Sequence, residues 1–151
     1  MKFLIENNNK IGQQELLYLE DECSFYTEYT GIGIDVELIV NKIALQASES
    51  KIVDLSGFCG LNKSMKSNFK VPESQKGILK VIDDLEGGIG SYSVNKEDLP
   101  VYVNTQTGWV CIGNPEKKGN AVEFIKNCVA VIDDDKELVS LWLKPKRLPN
   151  I

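Results

Sequence analysis

Cys128-Val129-Ala130-Val131-Ile132-Asp133-Asp134-Asp135-Lys136-Glu137-Leu138-Val139-Ser140-Leu141-Trp142-Leu143-Lys144 decides the fold class. Two runs of β-branched and large apolar residues flank a short polar run. Val129 and Val131 alternate in the first. In the second, Leu138, Ser140, Trp142 and Lys144 fall on one face and Val139, Leu141 and Leu143 on the other. Successive strand side chains point to opposite faces, so apolar residues on both faces describe strands covered on both sides. Asp133-Asp134-Asp135-Lys136 is the polar turn, which predicts a β-hairpin over 128–144. Pro145 and Pro149 end it, because proline cannot donate to a ladder.

The same design recurs upstream. Leu99 to Val103 and Trp109 to Ile112 flank Asn104-Thr105-Gln106-Thr107-Gly108, a second hairpin with a glycine-containing loop. Lys76 to Ile82 and Ser91 to Val94 form a third candidate pair around Asp83-Asp84-Leu85-Glu86-Gly87-Gly88, and Glu15 to Leu19 with Cys23 to Tyr29 bracket Glu20-Asp21-Glu22. Asp35 to Ala47 fits either a helix stripe or strands. Strand is favoured because Ile34, Val36, Leu38 and Val40 alternate. Asn114-Pro115-Glu116 resembles a helix start, but Gly119 and Asn120 weaken it, and a short strand from Ala121 to Ile125 is preferred. The expected fold is mainly β, with antiparallel sheets forming a sandwich or a partly open barrel of short strands. The alternative is α+β, with one or two short helices near 35–47 and 115–126.

At 151 residues, 42% hydrophobic and 26% charged, the chain suits a single globular domain over 1–151. Lys plus Arg is 17 against 22 for Asp plus Glu, a net charge of -5. Between Lys63 and Lys80 five lysines face only Glu73, so this segment carries +4 and the rest of the chain -9. Phe69, Val71 and Pro72 are its few apolar anchors. There is no histidine, which removes Ser-His-Asp and Cys-His nucleophile systems, His-ligated zinc and imidazole acid/base chemistry. The first residues lack the apolar run of a signal peptide and no stretch is long enough for a membrane span, so a cytoplasmic protein is expected. Cys23, Cys59, Cys111 and Cys128 form no Cys-x-x-Cys pair, which predicts reduced thiols packed as small hydrophobes.

Carboxylates cluster at Glu20, Asp21 and Glu22, at Asp83, Asp84 and Glu86, and at Asp133, Asp134 and Asp135. Paired acids can catalyse glycoside hydrolysis, but only when two face each other across a cleft. Neighbours in a turn point into water, either as solvated loops or as a surface for a basic partner. The spacing fits no EF-hand, and neither Gly31-Ile32-Gly33 nor Gly87-Gly88-Ile89-Gly90-Ser91 completes a dinucleotide or phosphate-loop pattern. Trp109 and Trp142 lie in strand-like runs, where a core role is expected. Phe58, Phe69 and nearby lysines could stack and neutralise single-stranded nucleic acid, but the overall acidity and the single arginine, Arg147, argue against it. No catalytic residue, metal or cofactor is expected, and the nine acidic residues are the candidate partner-binding site.

Thr107-Gly108-Trp109-Val110-Cys111-Ile112-Gly113 and Leu138-Val139-Ser140-Leu141-Trp142-Leu143-Lys144-Pro145, in a small acidic strand-rich chain, resemble the immunity proteins of bacterial polymorphic toxin systems, including contact-dependent growth inhibition. The resemblance is of general type and spans residues 50 to 145. It implies a cytosolic inhibitor that docks a cognate toxin C-terminal domain, often a basic nuclease, and covers its active site, with no direct nucleic-acid or membrane contact. Clustered carboxylates on a rigid β scaffold suit such a role, because they speed encounter with a cationic partner. Two other functions fit the residues: a small-ligand binding β-barrel and, less well, a carboxylate-dependent hydrolase.

Overall fold

A computed structural model describes residues 1–59, 61–83, 85 and 90–149. Its strands are β1 (Phe3–Asn7), β2 (Leu16–Leu19), β3 (Ser24–Thr27), β4 (Val36–Val40), β5 (Lys42–Ser48), β6 (Lys51–Phe58) and β7 (Met65–Lys66). They continue with β8 (Gln75–Val81), β9 (Ser91–Ser93), β10 (Val101–Asn104), β11 (Trp109–Gly113), β12 (Asn120–Ile125), β13 (Cys128–Ile132) and β14 (Leu138–Leu143). The fold is mainly β, a curled open sheet that forms a half-barrel. Its strand path runs β7-β10-β11-β14-β13-β12-β8-β6-β5-β4-β9.

The expected hairpins form where local turn chemistry supports them. In the β13–β14 turn Lys136 N donates to Asp133 O at 3.0 Å, Glu137 N donates to Asp133 Oδ1 at 2.9 Å, and Lys136 takes a φ of 65°. In the β10–β11 turn Asn104 Oδ1 accepts from Gln106 N and Thr107 N, and Gly108 supplies the left-handed residue at φ 84°. β2 and β3 pair around the Glu20–Glu22 turn.

The preferred strand reading holds at both ambiguous segments, and neither helix alternative forms. Residues 35–47 form β4 and β5, joined at Asn41 with a φ of 54°. Asn114 Oδ1 does accept from Glu116 N and Lys117 N, as a helix cap would. No helix follows, because Gly119 is pressed against Ile132 O, where a Cβ would lie 2.5 Å away, and the chain enters β12. Among the described residues the one helical element is a 3-10 turn, Leu61–Lys63.

The third hairpin is corrected, since β8 and β9 exist but do not pair. β8 is shared by β1, antiparallel along Gly77–Val81, by β12, parallel at Gln75 and Lys76, and by β6 at Lys80. Gly77, Leu79 and Val81 share one buried face of β8, and Leu79 and Val81 belong to the main core. β9, with exposed Ser91 and Ser93, runs parallel to β4 as a short polar edge.

A bulge reassigns faces in β14. Val131 pairs with Ser140 and Ile132 with Leu138, so Val139 is the extra residue. Leu138 therefore packs toward the main core beside Leu141 and Leu143, while Val139 joins Trp142 on the opposite face. Strict alternation had placed these two the other way round.

The main core draws on both halves of the sheet, from Phe3, Phe25, Leu38 and Leu55 to Val110, Phe124 and Leu141. A second cluster, Cys111, Val129, Val131, Val139 and Trp142, lies on the other face. The basic segment covers it. Phe69 and Val71 pack on this cluster, the Phe69 and Tyr102 rings meet edge to face at 5.3 Å, and Asn104 Nδ2 donates to Phe69 O at 3.0 Å. Lys63, Lys66, Lys70 and Lys76 point to solvent, and Lys80 pairs with Glu6 at 2.7 Å.

Cys59, Cys111 and Cys128 are buried free thiols, as expected. Cys23 is a correction: it is exposed, at a φ of 51° in the β2–β3 turn, where it meets no core. Burial pushes the Cys59 and Cys111 thiols up to about 12 and raises that of Cys128 too. Iodoacetamide should therefore label Cys23 alone in the native protein, with the other three reacting only in denaturant. Mass spectrometry of the labelled chain checks this, and native labelling of Cys59 would contradict it.

Candidate functional site

The acidic turns occupy two regions. Glu20, Asp21 and Glu22 sit exposed at the tip of the β2–β3 hairpin, where Cys23 N donates to Glu20 O and Ser24 Oγ to Glu22 O. Among the described residues none of the three carboxylates forms an ion pair. The turn therefore presents uncompensated negative charge.

Asp83 and the Asp133–Asp135 turn come together at the start of β1. Lys2 N donates to Asp83 Oδ1 at 2.8 Å, Lys2 Nζ donates to Asp135 O at 2.8 Å, and Phe3 N donates to Lys136 O at 2.8 Å. Lysines temper this acidic end, since Lys117 Nζ lies 3.3 Å from Asp133 and Lys136 belongs to the turn itself. Asp134 and Asp135 remain exposed. Asp84 and Glu86 lie outside the described residues.

The two regions are separate. β6 pairs with Lys80 at its Lys51 end, beside Asp83, and with Phe25 at Gly57, beside the Glu20–Glu22 hairpin. That span of strand is about 20 Å long at the usual rise per residue.

Asp133 has a structural share in its turn. The Glu137 N–H holds its carboxyl below the ordinary 3.8, desolvation opposes this, and Lys117 lowers it further. A lowered folded value means that the stabilisation is present above the unfolded value and is lost as pH falls through the folded one. The stability difference between wild type and Asp133→Asn should be present at neutral pH and vanish in acid. Urea midpoints measured across that range check this, and a pH-independent difference would contradict it.

Asp54, on β6, is a carboxylate that sequence reasoning did not single out. It is 2% exposed. Thr27 Oγ1 donates to its Oδ1 at 2.8 Å, Gln14 Nε2 to the same oxygen at 3.0 Å, and Thr30 Oγ1 to Oδ2 at 3.0 Å. Neutral donors alone hold it, and it pins the chain before β2 and the chain after β3 onto β6. The available signal was an aspartate inside the apolar run Ile52-Val53-Asp54-Leu55.

The main core is a cluster of buried side chains from both halves of the sheet, and the clefts lie at the surface. Among the described residues no group of three or more His, Cys, Asp or Glu is placed to hold a metal ion. Trp142 is a core residue, its Nε1 donating to Ser140 Oγ at 3.0 Å. No family model, curated protein or solved structure matches the chain. Among the described residues no helix is long and apolar enough to cross a membrane.

Proposed function

We propose that the protein is an immunity protein, which binds a cognate toxin domain, a nuclease, in the cytosol and neutralises it by stoichiometric occlusion, without chemistry of its own. The observation that carries this reading is the exposed Glu20–Asp21–Glu22 turn, whose carboxylates form no ion pair among the described residues. Burying a charge on binding is favourable only when the partner supplies its opposite, so such a turn suits a cationic protein surface. The hairpin that carries it is fixed to β6 by the Phe25 and Tyr26 pairings, which limits the ordering cost of association. Asp134 and Asp135 give a second, more compensated acidic region at a distance.

The test is co-purification with the toxin domain encoded directly upstream, followed by charge reversal. Replacing Glu20, Asp21 and Glu22 with lysine should slow association about tenfold or more at low salt and flatten its salt dependence. Reversing Asp134 and Asp135 should have the smaller effect, because lysines already surround them. Asp133 is left intact because it builds its turn. Association rates unchanged by both reversals and by salt would overturn the acidic-surface reading, and failure to bind the adjacent toxin domain would overturn the proposed function.

A further inference from the structure

β12 and β6 both pair with β8 but diverge from it, β12 joining at Gln75 and Lys76 and β6 at Lys80. Between them lies a cleft of about 170 Å³. Its apolar lining includes Ile11, Ile32, Val53, Ile78, Phe124 and Ile125. The segment after β1 spans it: Lys126 N donates to Gly12 O at 2.8 Å on the β12 side, and Gln14 Nε2 donates to Val53 O at 2.7 Å on the β6 side. Both walls are thus tied by hydrogen bonds, and the cleft is part of the folded scaffold.

Its charges are one-sided. Lys10 and Lys51 belong to the lining and no carboxylate does. Among the described residues neither ammonium forms an ion pair, whereas nearby Lys80 is matched by Glu6. Asp54 is not part of the lining but lies directly behind it, its carboxylate taken up by Thr27 and by the lining residues Thr30 and Gln14. At about 170 Å³ the cleft is smaller than the roughly 300–1,000 Å³ of pockets for drug-sized ligands, and it has no room for a helix or strand of a partner. The occupant that satisfies both size and charge is a short hydrocarbon bearing one carboxylate.

We infer that the cleft between β6 and β12 binds a small free apolar carboxylate, its hydrocarbon against the isoleucines, Val53 and Phe124 and its carboxylate held by Lys10 and Lys51. This site is independent of the acidic turns, so its failure leaves the proposed function untouched. The probe is isocaproate, with isocaproamide as its neutral counterpart, titrated into the full chain and followed by nitrogen–proton correlation spectra and thermal midpoint. Isocaproate should saturably shift the amides of Gly12, Lys51, Val53, Gly77 and Ile125 and raise the midpoint. Isocaproamide should bind about tenfold more weakly, the difference two partly solvated ion pairs make. The double variant Lys10→Gln, Lys51→Gln should erase that difference while leaving the unliganded midpoint unchanged. Equal binding of acid and amide, shifts scattered away from the cleft, or no saturable response would each overturn the inference.

Discussion

Replacing Asp54 with alanine is expected to cost about 3 kcal/mol, a fall in thermal midpoint of roughly 10 °C for a chain of this size. Asp54 is buried and accepts hydrogen bonds from Gln14, Thr27 and Thr30. Alanine removes every acceptor atom and opens space in a packed interior. Gln14 and Thr27 retain fallback partners, Val53 O and Leu55 O, so the cost stays below the sum of three lost charge-assisted bonds. Asp54→Asn is the informative companion. Its side-chain oxygen can still accept from Thr27 and Gln14, and Thr30 Oγ1 can accept from the new amide, so a loss of about 1 kcal/mol or less is expected. Urea unfolding of both variants tests the account, and an alanine variant within about 1 kcal/mol of wild type would refute it.

Trp142→Ala should cost about 3–5 kcal/mol, the range for deleting a buried aromatic side chain. Trp142 is 2% exposed and lies in the second cluster, the one roofed by Phe69 and Val71. The expected consequence is therefore regional as well as global. With its floor removed, the segment from Met65 to Glu73 should detach first, and trypsin should cut after Lys66 and Lys70 well before the rest of the chain opens. Phe69→Ala should expose the same bonds at a smaller stability cost, because Phe69 is only half-buried. The two substitutions should couple, since both residues belong to one cluster. Unchanged cleavage after Lys66 and Lys70 in both variants would show that the cluster does not hold the segment.

The acidic turns were legible because their composition is itself turn chemistry: Asp133 accepts the Glu137 N–H that shapes the loop. Which turns meet was not legible. Asp83 and Asp135 join through Lys2, and that contact depends on β1 pairing with β8 across more than seventy residues of sequence. Nothing in the composition of Phe3 to Asn7 selects β8 over any other apolar strand. Asp54 was missed for the converse reason. An acid within an apolar run is visible, but the donors that make its burial tolerable come from Gln14, Thr27 and Thr30, which only the folded chain gathers.

The amino-acid sequence by itself determined the mainly β class and the hairpins at 16–27, 101–113 and 128–143, because period-two alternation and turn residues act over a few positions. It also determined the lack of imidazole chemistry and the split of charge between a basic segment and an acidic remainder. Tertiary structure alone decided that β8 is the strand shared by β1, β12 and β6, that the bulge at Val139 exchanges the faces of β14, and that Phe69 and Val71 roof the Trp142 cluster. The physical reason is common to all three. A sheet with apolar residues on both faces must be covered on both, and which distant segment covers which face depends on the shape of the whole curled sheet.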